Sequence, residues 1–160
     1  MNENNGLTQQ EIIDFTVVTT EYLEKWQKYP ENSLFAGWNW AAFFMTFYWM
    51  IFRKMYKMFL TIGIYSLLYV AVISMWNFEN IGTASLVVII ILAIAPYIIS
   101  GLFGTGLYRR KALKVVSQTI DMNENEKKAY LNKKGNTNST GVWILFGIIL
   151  GTNILISLSH

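Results

Sequence analysis

Polar and apolar positions along the chain change in blocks. Residues 8–29 read as an amphipathic helix: Ile12, Phe15, Tyr22 and Trp26 recur on one stripe at helical spacing, while Glu21, Glu24 and Lys25 point elsewhere. Thr8 and Glu11 have capping-box spacing, in which each side chain satisfies an orphan amide of the first turn. Pro30 bars continuation. An uncharged aromatic block from Gly37 to Phe52 follows, with Asn39 placed to cap a helix start. Then come three long apolar stretches. Met58 to Trp76 is 19 residues without a charge, about 28 Å as a helix against a hydrocarbon thickness of ~30 Å. Gly82 to Leu107 is also uncharged and holds "VVIIILAI"; Val142 to Leu158 is shorter but sufficient. Helices apolar on every face over such lengths read as membrane spans rather than core helices.

Between the second and third spans, "YRRKALKVVSQTI" continues the helix out of the membrane, with Leu113, Val116 and Ile120 on one side. A second short helix begins at Asn123 and Glu126, again a capping box, and stops at Gly135. "GNTNSTG" is a flexible connector. The expected architecture is an all-α integral membrane protein: an N-terminal amphipathic helix, an aromatic interfacial or re-entrant helix, then three transmembrane helices. Its parts are a cytoplasmic N-terminal helix (1–35), a membrane domain (36–107, with 37–52 interfacial or re-entrant and spans 58–76 and 82–107), a basic cytoplasmic segment (108–140) and a third transmembrane helix (141–160).

Composition agrees. Apolar residues make up 53% and charged residues 14%, where soluble domains carry about 25% charged; the mean hydropathy is +0.32. Charge sets the orientation. With a cytoplasmic N-terminus and three crossings, all 13 Lys and Arg residues fall inside, and the outer turn "NFENI" carries only Glu79. The N-terminus is then cytoplasmic and the C-terminus outside. A crossing by Gly37 to Phe52 would export the N-terminus and move Lys25 and Lys28 across, an alternative that the count leaves open. The start "MNENNGLTQQEIIDF" is polar and acidic, without the basic and apolar regions of a cleaved signal peptide.

Sixteen residues from Gly37 to Phe52 are short for a span, and indole and phenol rings favour the headgroup boundary. A half-inserted helix, a re-entrant hairpin returning to the cytoplasmic face, and a plain aromatic anchor all fit. Arg53, Lys54 and Lys57 then sit among anionic phosphates, at roughly 1 kcal/mol each near the surface.

The block "NWAAFF" (Asn39 to Phe44), with Trp49 and then Arg53, Lys54, Met55 and Tyr56, resembles the signature of a widespread bacterial family of small membrane proteins carrying a domain of unknown function. Glu21 to Trp26 resembles its Tyr-Tyr-Leu-type helix end, and "GLFGTGLYRR" its glycine-containing exit from the membrane. The resemblance covers roughly residues 8 to 115. Thr46-Phe47 stand where the family commonly has Gly-Pro, which argues against a sharp hairpin there; Phe52 stands where tyrosine is usual, and an asparagine often found near the exit is missing. The resemblance implies a membrane protein with a cytoplasmic N-terminus and implies no activity.

Candidate chemistry is sparse. There is no cysteine, and the single histidine is His160, so no thiolate or imidazole cluster offers a metal site, and no histidine is placed to activate a hydroxyl. No ionisable residue lies within a proposed span, which argues against proton-coupled transport. No catalytic, cofactor-binding or metal residue is assigned. Trp38, Asn39, Trp40, Trp49, Arg53, Lys54, Tyr56, Tyr108, Arg109 and Arg110 are the candidate membrane-interface or partner contacts. Gly101, Gly104, Gly147 and Gly151 are candidate helix contacts, because small residues let helices approach closely in lipid. Pro96 should kink the second span and free a carbonyl one turn earlier. The expected partners are the lipid bilayer, anionic phospholipid headgroups, and a protein partner or second copy of the chain; a net charge of +3 with interspersed acids does not favour nucleic acid. The reading is a non-catalytic integral protein of the bacterial cytoplasmic membrane, an interaction or accessory subunit. An oligomeric channel or small-solute facilitator is the alternative, and a lipid-acting enzyme the third.

Overall fold

The computed structural model describes residues 7–17, 20–30, 32–75 and 82–159. The outer turn 77–81 with Glu79, Trp76, the Glu21 side chain and His160 lie outside the described residues. The expected N-terminal helix is two: α1 (Gln9–Thr16) and α2 (Thr20–Lys28). The capping box forms, with the Glu11 amide donating to Thr8 Oγ1 and the Thr8 amide to Glu11 Oε2. Helix α1 then stops at Val17, which takes a left-handed φ of 56°, a conformation that costs a β-branched residue. Neither glycine nor proline announces this break. It releases the Thr16 carbonyl, which accepts a hydrogen bond from Arg53. Ile12, Phe15, Tyr22 and Trp26 are all buried.

The aromatic block also folds as two helices, α3 (Trp40–Phe44) and α4 (Thr46–Phe52). Three helices long and apolar enough to cross a membrane follow. They are α5 (Tyr56–Ser74), α6 (Thr83–Val116) and, after α7 (Glu124–Gly135), α8 (Ser139–Leu158). Most of their apolar surface points outward; none of α8's apolar window is buried. Such surface is stable only where lipid replaces water. Helices α5 and α6 are tied by tyrosines. Pro96 has no N–H to give the Leu92 carbonyl, and Tyr65 donates its hydroxyl to that oxygen at 2.8 Å; Tyr69 does the same to Ile89 at 2.9 Å.

With 34 residues, α6 is about 51 Å long, well beyond a hydrocarbon layer, and its C-terminal third enters a folded head. The core sits there rather than between the spans. Tyr108 is its centre, with ring centroids of Phe15, Tyr22 and Trp26 at 5.4, 5.3 and 5.8 Å. Ala112 and Leu131 are fully buried beside it. Helix α7 starts from the Asn123–Glu126 capping box and reaches Gly135, where a Cβ would meet the Phe15 carbonyl.

Candidate membrane-interface site

The segment from Pro30 to Lys57 travels down α6 and back. Arg109, fully buried, first collects the end of α2: its guanidinium donates to the carbonyls of Trp26, Tyr29, Pro30 and Ser33. The chain next crosses Gly106, so close that a Cβ there would overlap the Leu34 carbonyl. At its deepest point the Asn39 amide donates to Gly101 O at 2.9 Å, and Asn39 Nδ2 donates to Thr105 Oγ1. From Arg109 to Gly101 is eight residues of helix, about 12 Å.

The return begins at α3, capped by Asn39 Oδ1, which accepts from the Ala42 amide. The helix breaks at Met45 even without Gly-Pro, so a bend occurs where the departure argued against one. Thr46 Oγ1 donates to the Ala42 and Phe43 carbonyls at 2.8 and 3.1 Å, so a hydroxyl serves the carbonyls where the helix is interrupted. Ala42 and Trp49 then climb past Gly104. Lys54, at φ 54°, turns the chain into α5. Lys111 Nζ closes the loop by donating to the carbonyls of Arg53 and Lys54 at 3.0 and 3.2 Å.

This path changes the meaning of the candidate contacts. Asn39, Trp49, Arg53, Tyr108 and Arg109 are buried in the chain's own fold. The reason is that their polar atoms serve carbonyls and amides exposed by helix ends, while Trp49 and Tyr108 fill the aromatic core. Trp38 and Lys54 are half-buried, and Trp40, Tyr56 and Arg110 are exposed. Trp40 (63% exposed) stacks on Phe44 (70% exposed) with centroids 5.7 Å apart, forming an outward aromatic wedge beside α6. Gly101 contacts Trp38 and Phe43, and Gly104 contacts Ala42 and Trp49. Nothing lies within 4 Å of a Cβ built at Gly147 or Gly151, so within this chain they make no helix contact. Helix α8 is held at its foot: the Asn138 amide donates to Phe52 O, and its Nδ2 to the Tyr56 hydroxyl.

At the foot of α5 and α6 lies a cleft of about 680 Å³. Lys54, Lys57, Arg110, Lys111 and Lys114 surround one end, and Met58, Ile62, Ile99 and Leu107 line the other. Burial holds the Lys111 ammonium down to about 8, helped by repulsion from Lys54, Lys134 and Arg53. Burial also lowers Lys54. Lys111 and Lys114 are absent from the sequence-derived contacts, yet Leu107, Arg110, Lys111 and Lys114 stand at i, i+3, i+4 and i+7 of one helix, a signal open to sequence reading. Among the described residues no group of His, Cys, Asp or Glu is placed to hold a metal ion.

A family model described as "Protein of unknown function (DUF2628)" matches residues 8–114, or 107 of the 160 residues. No curated protein and no solved structure matches the chain.

Proposed function

The chain belongs to the DUF2628 family, and we propose that it is a non-catalytic, multi-pass protein of the bacterial cytoplasmic membrane. In this reading it is an accessory subunit whose folded head is a binding platform fixed to the inner face of the bilayer. The return path of α3–α4 along α6 carries the reading. Irregular backbone is tolerated at membrane depth only where protein satisfies it, and Asn39, Thr46 and Gly101 supply that satisfaction here. The segment is therefore a re-entrant wedge rather than a fourth crossing.

Orientation is supported by where the helix ends meet. The Tyr56 end of α5, the Lys111 region of α6 and the Asn138 end of α8 touch one another. All 13 basic residues then belong to one side, which the positive-inside rule makes cytoplasmic. Arg53, Lys54, Arg109 and Lys111 are committed to backbone carbonyls, a structural use that supports binding over catalysis.

The test is single-cysteine topology mapping, clean because the chain has no cysteine. Probes at Ser33 and Asn136 should label only from the cytoplasm, a probe at Ser159 only from outside, and one at Phe44 poorly from either. External labelling of Ser33 would overturn the layout. Mild-detergent purification from expressing cells should bring down a stoichiometric partner, and its absence would remove the accessory-subunit role.

A further inference from the structure

The cleft between α5 and α6 changes character along its length. Ile99 and Lys114 bound its α6 wall, 15 residues and about 22 Å apart. The membrane-side end is apolar; the head-side end is ringed by Lys54, Lys57, Arg110, Lys111 and Lys114, and no carboxylate lines it. Lys111 and Lys54 are fixed by carbonyls. Arg110 gives one N–H to Asn32 O. Lys57 and Lys114 are exposed, and among the described residues neither ammonium has a hydrogen-bond or ion-pair partner. Five like charges held together without a counter-charge repel one another, and an anion between them removes that repulsion. A small soluble anion fills the charged end but leaves the apolar end to water. An amphiphile fills both.

We propose that this cleft binds a phospholipid whose headgroup carries more than one negative charge, its phosphates held by Lys57, Arg110 and Lys114 and the start of an acyl chain lying against Ile62 and Ile99. The proposal rests on the reading above, in which the head faces lipid headgroups. Its test is made in detergent, where sidedness plays no part, so failure of one leaves the other standing.

Full-length protein, purified and delipidated in mild detergent, is titrated in native mass spectrometry with three lipids of matched acyl chains: one with two phosphates, one with a single negative charge, and one zwitterionic. The two-phosphate lipid should bind at least tenfold more tightly than the zwitterionic one. K57Q/K114Q should weaken it about 25-fold, at roughly fivefold per basic residue near a membrane surface. Both side chains are exposed and their removal relieves repulsion, so this variant should unfold at or above the wild-type midpoint. I99W, which narrows the apolar end, should weaken lipid but not inorganic pyrophosphate. Equal affinity for the zwitterionic lipid, or wild-type affinity in the folded K57Q/K114Q variant, overturns the proposal. Pyrophosphate binding as tightly as the two-phosphate lipid overturns it in favour of a soluble anion.

Discussion

Gly106→Ala isolates the contact that lets the chain descend α6. A Cβ at this position would overlap Leu34 O and lie 2.6 Å from Leu34 C, and the separation must widen to at least 3.0 Å. The obstacle is backbone, so no rotamer change relieves it. Withdrawing the Leu34 peptide also pulls Ser33 O, now 3.1 Å from Arg109, out of hydrogen-bond range. Overpacking costs about 1–3 kcal/mol, and the lost charged hydrogen bond about 1.5–3. Alanine's helix propensity returns about 1. The balance is a loss of about 3 kcal/mol. Gly147→Ala is the matched control, because open space surrounds it and only the favourable propensity term applies.

The assay is equilibrium unfolding in mixed micelles, titrating an anionic detergent and following tryptophan fluorescence. G106A should shift the midpoint down and G147A should leave it unchanged or raise it. A cysteine at Leu34, exposed in the native fold, should label faster in the G106A background if the displacement is local. G106A as stable as the parent chain would refute the close approach of the 34 peptide to α6, and with it the descent of this segment along the helix.

Three further outcomes are expected. Tyr65→Phe leaves the Leu92 carbonyl without its donor, and at about 0.6–2 kcal/mol for a hydrogen bond between helices in lipid should destabilise measurably in the same titration; no change would mean that the carbonyl is satisfied otherwise. Burial opposes the Glu11 carboxylate, but hydrogen bonds from Lys127 (2.7 Å) and Thr8 outweigh it and lower its pKa. Because the folded pKa is depressed, this contribution is full above the ordinary carboxylate range and disappears as pH falls through the folded value; E11Q should flatten that part of the acid-unfolding curve, and an unaltered curve would deny the pair a role. Lys111, held down to about 8, should be acetylated with a midpoint near pH 8 in pH-dependent labelling read by mass spectrometry, and a midpoint near 10 would contradict its burial.

The features legible in the sequence were those set by short-range chemistry. The capping boxes at Thr8/Glu11 and Asn123/Glu126, the Asn39 cap and the stop at Gly135 all form, because a cap needs only residues within one turn of each other. The three long apolar helices were equally open, since lipid imposes length and hydropathy without regard to tertiary contacts. The break at Val17 was not legible: the Thr16 carbonyl it frees accepts a hydrogen bond from Arg53, 37 residues beyond Thr16. The inward turn of Arg109, Tyr108 and Trp49 was hidden for the same reason. An arginine beside a membrane exit looks like a headgroup contact until the chain is seen to double back over it.

That doubling back explains where several of the head's cations go. Every interruption of a helix leaves carbonyls at its C-terminal end, where the helix dipole is also negative. Arg53 meets the end of α1, Arg109 the end of α2, Lys111 the end of α4, and Lys54 the end of α7 through Lys133 O. Four cations thus act as caps supplied from distant parts of the chain, where helices usually rely on glycine or neighbouring side chains. Among the described residues the one ion pair joining helices of the head is Glu11–Lys127, and each of these four buried or half-buried cations donates to backbone carbonyls. A count of the head's positive charges therefore overstates those left over by the fold itself. Of the five cations that line the cleft, Lys54 and Lys111 are taken up by carbonyls, and Lys57 and Lys114, with the remaining N–H groups of Arg110, are the ones placed to meet an anion.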